Sequence, residues 1–262
     1  MQKNYTVIPG REYTIGLDRG IVESAWGVLR QSPIRKEFLL ASCPRHSADI
    51  APLYISKRLV SRAEFAEFAS DSGYHTDAER DGWGWVWQEG RWQKRNDTNW
   101  MNPFCSSADM VYHSMADAPV MQASWNDAAA YCQWLSMKSG RVIRLPHEQE
   151  WEVFAVACGV PGVGDVARDD PHARAMKDFL SAIQDAVRGE IILPGLLWEW
   201  TEGWYEQYPG GPDNRDYGQV YKVLRGGSAM SHPVQRTREY RLRKCPSARS
   251  PFYGFRIAVP HA

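Results

Sequence analysis

The chain has 262 residues, long enough for one large or two small domains with a sizeable buried core. Lys+Arg and Asp+Glu are both 31, so no global field points to nucleic acid or to a membrane surface. No window approaches the ~18 apolar residues of a membrane span, and Met1–Val7 lacks an apolar signal-peptide core, so a cytoplasmic protein is expected.

The five cysteines (43, 105, 132, 158 and 245) are widely spaced, with no CxxC, which suits buried thiols in a reducing compartment. The 12 Trp and 12 Tyr are the unusual figures. Large rings in such numbers fill space between the loops of irregular folds, or form recognition surfaces.

In chain order, Val7-Ile8-Pro9-Gly10 reads as a turn between two short strands, the second ending at Ile15-Gly16. Leu53–Ser56 reads as another strand. Ser61 and Glu64 have capping-box spacing, and Phe65, Phe68 and Ala69 follow at helical spacing, so a helix over about 61–71 should stop near Gly73. Trp83-Gly84-Trp85-Val86-Trp87 alternates with period two, placing three indoles on one strand face, and Gln88-Glu89-Gly90-Arg91 turns the chain back at Trp92. That face is either buried on the core or a partly exposed aromatic patch.

Ala128, Tyr131, Cys132 and Leu135 trace a helix stopped by Gly140, and Trp151, Phe154, Ala155 and Cys158 trace the buried stripe of the next. His147 and Glu150 have HxxE spacing, but no further metal ligand set accompanies them. Asp170-Pro171 resembles an N-cap with Pro at N1, opening a helix whose Met176, Phe179, Leu180, Ile183 and Val187 share a face and which closes near Gly189. That face packs on the core or on a partner. Arg236, Arg238, Arg241, Arg243, Lys244 and Arg249 form a basic strip that is either solvated and partly paired, or a surface for an acidic partner or anionic ligand. Tyr253–Val259 reads as the terminal strand. The expected fold class is α+β and irregular, with short antiparallel strands, several helices and long loops.

Several runs carry a resemblance: Pro119-Val120, Ser124-Trp125, Tyr131-Cys132-Gln133-Trp134, Arg144-Leu145-Pro146 through Glu152, Trp198-Glu199-Trp200, Arg225-Gly226-Gly227-Ser228 and Gly254-Phe255-Arg256. Together they resemble the formylglycine-generating enzyme (sulfatase-modifying factor) family, whose fold is C-type-lectin-like, over roughly residues 5–260. The resemblance implies one domain across 1–262, with a helical insertion at about 165–190 where calcium-binding members have a loop. It also implies that His147 is the N-cap of its helix, with Glu150 as its partner.

In the family's oxidases the positions matching Ser231 and Arg236 are a cysteine pair that binds copper and converts a substrate cysteine to formylglycine. A hydroxyl is a hard, weak ligand for Cu(I) and a guanidinium has no lone pair to offer, so that chemistry is not expected here. Leu196 stands where the family places a calcium-ligating Asn, which argues against that ion as well. No catalytic residue, metal or cofactor is therefore expected, and Ser228, Ser231 and Arg236 remain as groove positions.

What the resemblance leaves is a pseudoenzyme that binds protein. The leading expectation is an immunity protein that neutralises a co-encoded bacterial type VI secretion toxin, such as a nuclease, without itself binding nucleic acid or membrane. The alternatives are an oxidoreductase or maturation enzyme of the superfamily with a non-standard site, and a ligand-binding scaffold. Candidate partner contacts are Trp85, Trp87 and Trp92 on the hairpin, Phe179 and Ile183 on the inserted helix, and Arg236, Arg238 and Arg241 in the basic strip.

Overall fold

Short segments with strong local stops give this chain many brief elements, set out in a computed structural model that describes residues 4–29, 34–166 and 175–261. The N-terminal part runs β1 (Tyr5–Ile8), β2 (Arg11–Ile15), α1 (Arg19–Leu29), α2 (Lys36–Leu40), β3 (His46–Ile50), β4 (Leu53–Ser56), α3 (Arg62–Ser72) and α4 (Asp77–Asp81). The middle holds β5 (Trp83–Gln88), β6 (Arg91–Asn96), α5 (Ala108–His113), α6 (Trp125–Ser139), α7 (Glu148–Ala157) and α8 (Met176–Arg188). It closes with β7 (Trp198–Trp204), β8 (Lys222–Arg225), β9 (Arg241–Lys244), β10 (Tyr253–Gly254) and β11 (Ala258–Pro260). This is the irregular α+β architecture the sequence suggests.

The strands form a three-stranded sheet ordered β1-β4-β11, a four-stranded sheet ordered β10-β7-β8-β9, and the pairs β2-β3 and β5-β6. Most pairings are antiparallel, but β10 runs parallel to β7. The terminal strand expected over 253–259 is broken into β10 and β11. β10 pairs with β7 in one sheet and β11 with β4 in the other, and between them Arg256 is fully buried and fastened to the Glu199 carboxylate at 2.7 Å and to the Ser56 carbonyl at 2.8 Å.

Capping explains where the helices begin. Ser61 and Ser124 each accept from the backbone N–H three residues on, while Glu64 and Asp127 reach back to the cap N–H, completing two capping boxes. Gly73 and Gly140 end α3 and α6 in the left-handed conformation, as read from sequence. His147 does occupy the N-cap of α7, but its exposed ring makes no cap bond. Glu150 alone closes the turn by accepting from the His147 N–H at 2.7 Å, held by a two-pronged contact with Arg144. Helix α8 ends at Arg188 without a left-handed residue, and its predicted Asp170-Pro171 start lies outside the described residues.

Aromatic packing builds the core. Phe65 meets Trp100 at 5.4 Å and Phe255 at 6.4 Å, while Tyr131 lies 6.1 Å from Phe65 and 5.4 Å from Phe255, joining α3, α6 and the segment before β11. Phe179 and Ile183 of α8 are both 0% exposed and belong to this cluster, so neither is available as a partner contact. Their helix presents a single apolar stripe, and burial of that stripe is what seats α8 against α5 and the chain around Phe252.

A second stabilising layer is ionic. Arg241 binds Glu148 with two hydrogen bonds of 2.8 and 2.7 Å and also donates to the Ala41 carbonyl. Arg225 pairs with Glu152, whose other oxygen accepts from the Gly16 N–H at 2.7 Å. Glu199 takes both Arg256 and the Trp151 indole N–H, the latter at 2.7 Å. Arg225, Arg241 and Arg256 are all essentially inaccessible, so each guanidinium needs its carboxylate to remain buried. Part of the basic strip is therefore internal framework and not a solvated face.

Candidate functional site

Two elements approach each other to make a concavity. The β5-β6 hairpin is closed by a two-residue loop, Glu89-Gly90, with φ of 54° and 72°, the type I′ geometry that matches strand twist. Its inward face carries Gly84 and Val86, the latter 1% exposed. A Cβ at Gly84 would stand 2.8 Å from the Thr98 carbonyl, so only glycine lets the hairpin sit this close. With those residues inward, Trp83, Trp85 and Trp87 share the opposite face, where Trp85 is exposed and Trp87 is half-buried against the edge of the core cluster. Between burial and an aromatic patch, the packing selects the patch.

Trp85, Trp87 and Trp92 form one wall of a groove of about 810 Å³. Trp198 of β7, Phe252 and Tyr253 form its back, and Met230 and Leu242 complete the apolar lining. Trp92 stands edge-on to Trp87 at 5.3 Å and to Phe252 at 5.6 Å, and Phe252 in turn rests on buried Phe179 at 5.0 Å. Trp85 is 39% and Trp92 45% exposed, an unusual exposure for indoles that function only as filler. The hydrophilic part of the lining comes from Ser228, Ser231, Gln235, Ser250, Lys244 and Arg249.

The structure thus joins two predictions that were far apart in sequence, the hairpin indoles and the serines of the Arg-Gly-Gly-Ser run. Ser228 and Ser231 lie with their hydroxyls 3.0 Å apart, and the Ser231 oxygen also accepts from the Ser228 N–H at 3.0 Å. Arg236 is not part of the groove lining. Its aliphatic stem packs on Gly227, where a Cβ would come within 2.6 Å of Arg236 Cγ and φ is +69°. Arg238 is tied to Glu239 at 3.0 Å and to the Val160 carbonyl, and Arg241 to Glu148. Arg241, at 1% exposure, is excluded as a surface contact because its charge is consumed inside the protein.

Trp198, Met230, Leu242, Phe252 and Tyr253 are groove residues that the sequence did not mark as site residues. Trp198 and Tyr253 stood in motifs read for their likeness, and only strand pairing of β10 with β7 brings them together. Burial pushes the Tyr253 phenol above its ordinary value, with Cys245 adding to the effect, so it presents a neutral hydroxyl.

The donor set does not fit the family oxidases' copper. Where two thiolates would converge there is a hydroxyl already engaged by Ser228 and an arginine whose aliphatic stem packs on Gly227. All five cysteines are unpaired: Cys43 and Cys132 are buried as expected, Cys158 is half-buried, but Cys105 and Cys245 are exposed. Among the described residues no group of three or more His, Cys, Asp or Glu could hold a metal ion. At the calcium position Leu196 is 8% exposed, part of the apolar core. No helix among the described residues is long and apolar enough to cross a membrane.

A scaffold of short strands and capped helices around this groove defines a fold, and the comparisons agree with it. Residues 3–179 and 191–260 match the family described as the Sulfatase-modifying factor enzyme 1-like domain, and the chain belongs to that family. The break in the match, 180–190, falls in and just after α8. The mouse "Inactive C-alpha-formylglycine-generating enzyme 2" is 28% identical over 260 residues, covering 82% of this chain and 77% of that protein. The "Formylglycine-generating enzyme" of Streptomyces coelicolor is 27% identical over 262 residues, covering 82% and 80%. Among solved structures, PvdO from Pseudomonas aeruginosa superposes with a TM-score of 0.65 at 18% identity, over 98% of this chain and 94% of that one. That likeness speaks to fold alone.

Proposed function

We propose that this chain is a non-catalytic protein-binding domain, and that its aromatic groove receives a segment of a partner protein. The observation that carries this reading is the composition of the groove. Exposed indoles wall it, and a hydrogen-bonded serine and an arginine, Ser231 and Arg236, stand where the family's oxidation chemistry requires soft ligands. Aromatic side chains held rigid by their neighbours are the residues that anchor tight protein interfaces. The existence of a relative named inactive supports a family member working without turnover.

The biological setting proposed is immunity. The chain binds a co-encoded type VI secretion toxin and neutralises it by covering its active site or substrate surface. The test is co-purification with the product of the neighbouring gene, followed by Trp92→Ala. Trp92 is 45% exposed, so its truncation should leave folding nearly intact while costing about 2 kcal/mol or more of partner affinity. No partner, or a partner bound with unchanged affinity by the variant, would remove this reading. Relatives named as formylglycine-generating enzymes keep a second reading, an oxidoreductase with a non-standard site, as the one to test next. Its signature would be oxygen consumption with a thiol peptide.

A further inference from the structure

The hairpin that walls the groove also has two unlike edges. In a hairpin closed by a two-residue loop, the flanking pair Gln88↔Arg91 exchanges hydrogen bonds, and so do every second pair beyond it, Val86↔Gln93 and Gly84↔Arg95. The residues between them, Trp83, Trp85 and Trp87 on β5 and Trp92, Lys94 and Asn96 on β6, point their backbone groups outward. On β5 two of the outward carbonyls are taken. The Trp85 carbonyl accepts from Gln122 Nε2 at 2.6 Å, and the Trp83 carbonyl from Arg249 Nη2 at 2.9 Å. On β6 the corresponding N–H and C=O groups of Trp92, Lys94 and Asn96 meet no hydrogen-bond partner among the described residues, and all three residues are exposed. One edge is partly covered by side chains and the other is open.

An open edge is a template for another strand, and proteins that must avoid self-pairing place Lys and similar charges along it. Here Arg91, Lys94 and Arg95 are exposed on β6, and Lys94 Nζ lies 3.9 Å above the Trp83 ring. Two copies of β6 laid edge to edge would oppose basic side chains, which disfavours a homodimer through this strand. The same charges favour an acidic strand, since opposite charges across a ladder attract. Lys244 in the groove lining adds a positive charge on the side that Trp92 faces, whereas Arg249 is already paired with Asp81 at 2.8 Å.

We propose that the partner segment is an acidic extended strand, added to the outer edge of β6 by main-chain hydrogen bonds to Trp92, Lys94 and Asn96, with an apolar side chain reaching past Trp92 into the groove. This rests on the protein-binding reading above and names the chemistry of its partner.

The probe is a synthetic peptide alternating Glu and Val, compared with its Lys and Val counterpart and with a version N-methylated at every second residue. The acidic peptide should slow hydrogen exchange at the Trp92, Lys94 and Asn96 amides and weaken with added salt. N-methylation should reduce its affinity roughly tenfold or more, because it removes the main-chain donors of strand pairing. Lys94→Pro deletes an outward-pointing donor without removing a hairpin bond and should produce a similar loss, and the N-methylated peptide on the unaltered protein controls for a misfolded variant.

Equal binding of acidic and basic peptides, indifference to N-methylation, no binding, or a β6-mediated dimer in sedimentation would each overturn strand addition. The two readings fail separately. Capture of a co-encoded partner that is lost with Trp92→Ala but unaffected by Lys94→Pro keeps the groove and discards the edge. Protection of the β6 amides with no cellular partner does the reverse.

Discussion

Phe179→Ala separates a buried support from a surface anchor. The ring is 0% exposed, stands edge-on to Phe252 at 5.0 Å and meets Phe104 at 6.3 Å. Its removal deletes a full aromatic side chain from a closed site, which costs about 3–5 kcal/mol in transfer and cavity terms. At roughly 2–4 °C per kcal/mol for a domain of this size, the melting temperature should fall by roughly 6–20 °C. Urea unfolding followed by tryptophan fluorescence gives the stability directly, and Phe179→Leu should recover a good part of the loss because it refills most of the volume. Since Phe179 carries Phe252 and Phe252 carries Trp92, groove binding should weaken only as far as the wall loosens. A variant as stable as the wild type that nevertheless fails to hold a partner would refute the packing argument and return Phe179 to the surface.

Three further outcomes are expected. Glu199→Gln leaves Arg256 buried without a counter-charge and should cost about 3–5 kcal/mol by urea unfolding, whereas a loss below about 1 kcal/mol would mean the pair is hydrated. Burial raises the Asp127 carboxyl from 3.8 to about 6, so its contribution to stability is present below about pH 4 and is lost as pH rises through about 6. Relative to wild type, Asp127→Asn should therefore gain about 3 kcal/mol between about pH 4 and about pH 7.5, and a gap that stays constant with pH would contradict the assignment. The wild-type chain should surrender Cu(I) to a bicinchoninate competitor, and stoichiometric retention would show that a soft site exists which Ser231 and Arg236 do not explain.

Much of the fold was legible because the signals were local. Ser61 with Glu64, Ser124 with Asp127, and the stops at Gly73 and Gly140 act over three or four residues, and the structure reproduces them. The His147 cap was half right, since an imidazole does not reach the N–H that a small hydroxyl would, and Glu150 carries the turn. The break between β10 and β11 was invisible because it depends on the two pieces pairing with different distant strands, β7 and β4.

The candidate site was legible only in pieces. Alternation placed Trp83, Trp85 and Trp87 on one face, but a period of two does not say which face is inward. The tight approach of Gly84 to Thr98 decides that. Likewise a basic strip looks the same in sequence whether its charges meet water or carboxylates, and Glu148, Asp216 and Asp81 are supplied by other elements of the chain.

The amino-acid order alone determined where helices start and stop, that a hairpin returns at Trp92, and that no thiol pair stands at positions 231 and 236. Only the tertiary structure decided which aromatics are walls and which are foundations, that Phe179 and Arg241 lie inside, and that Trp92 and Ser231 share one groove. The reason is range: caps, turns and side-chain identity act within a few residues, whereas burial depends on which distant surface happens to close over a side chain.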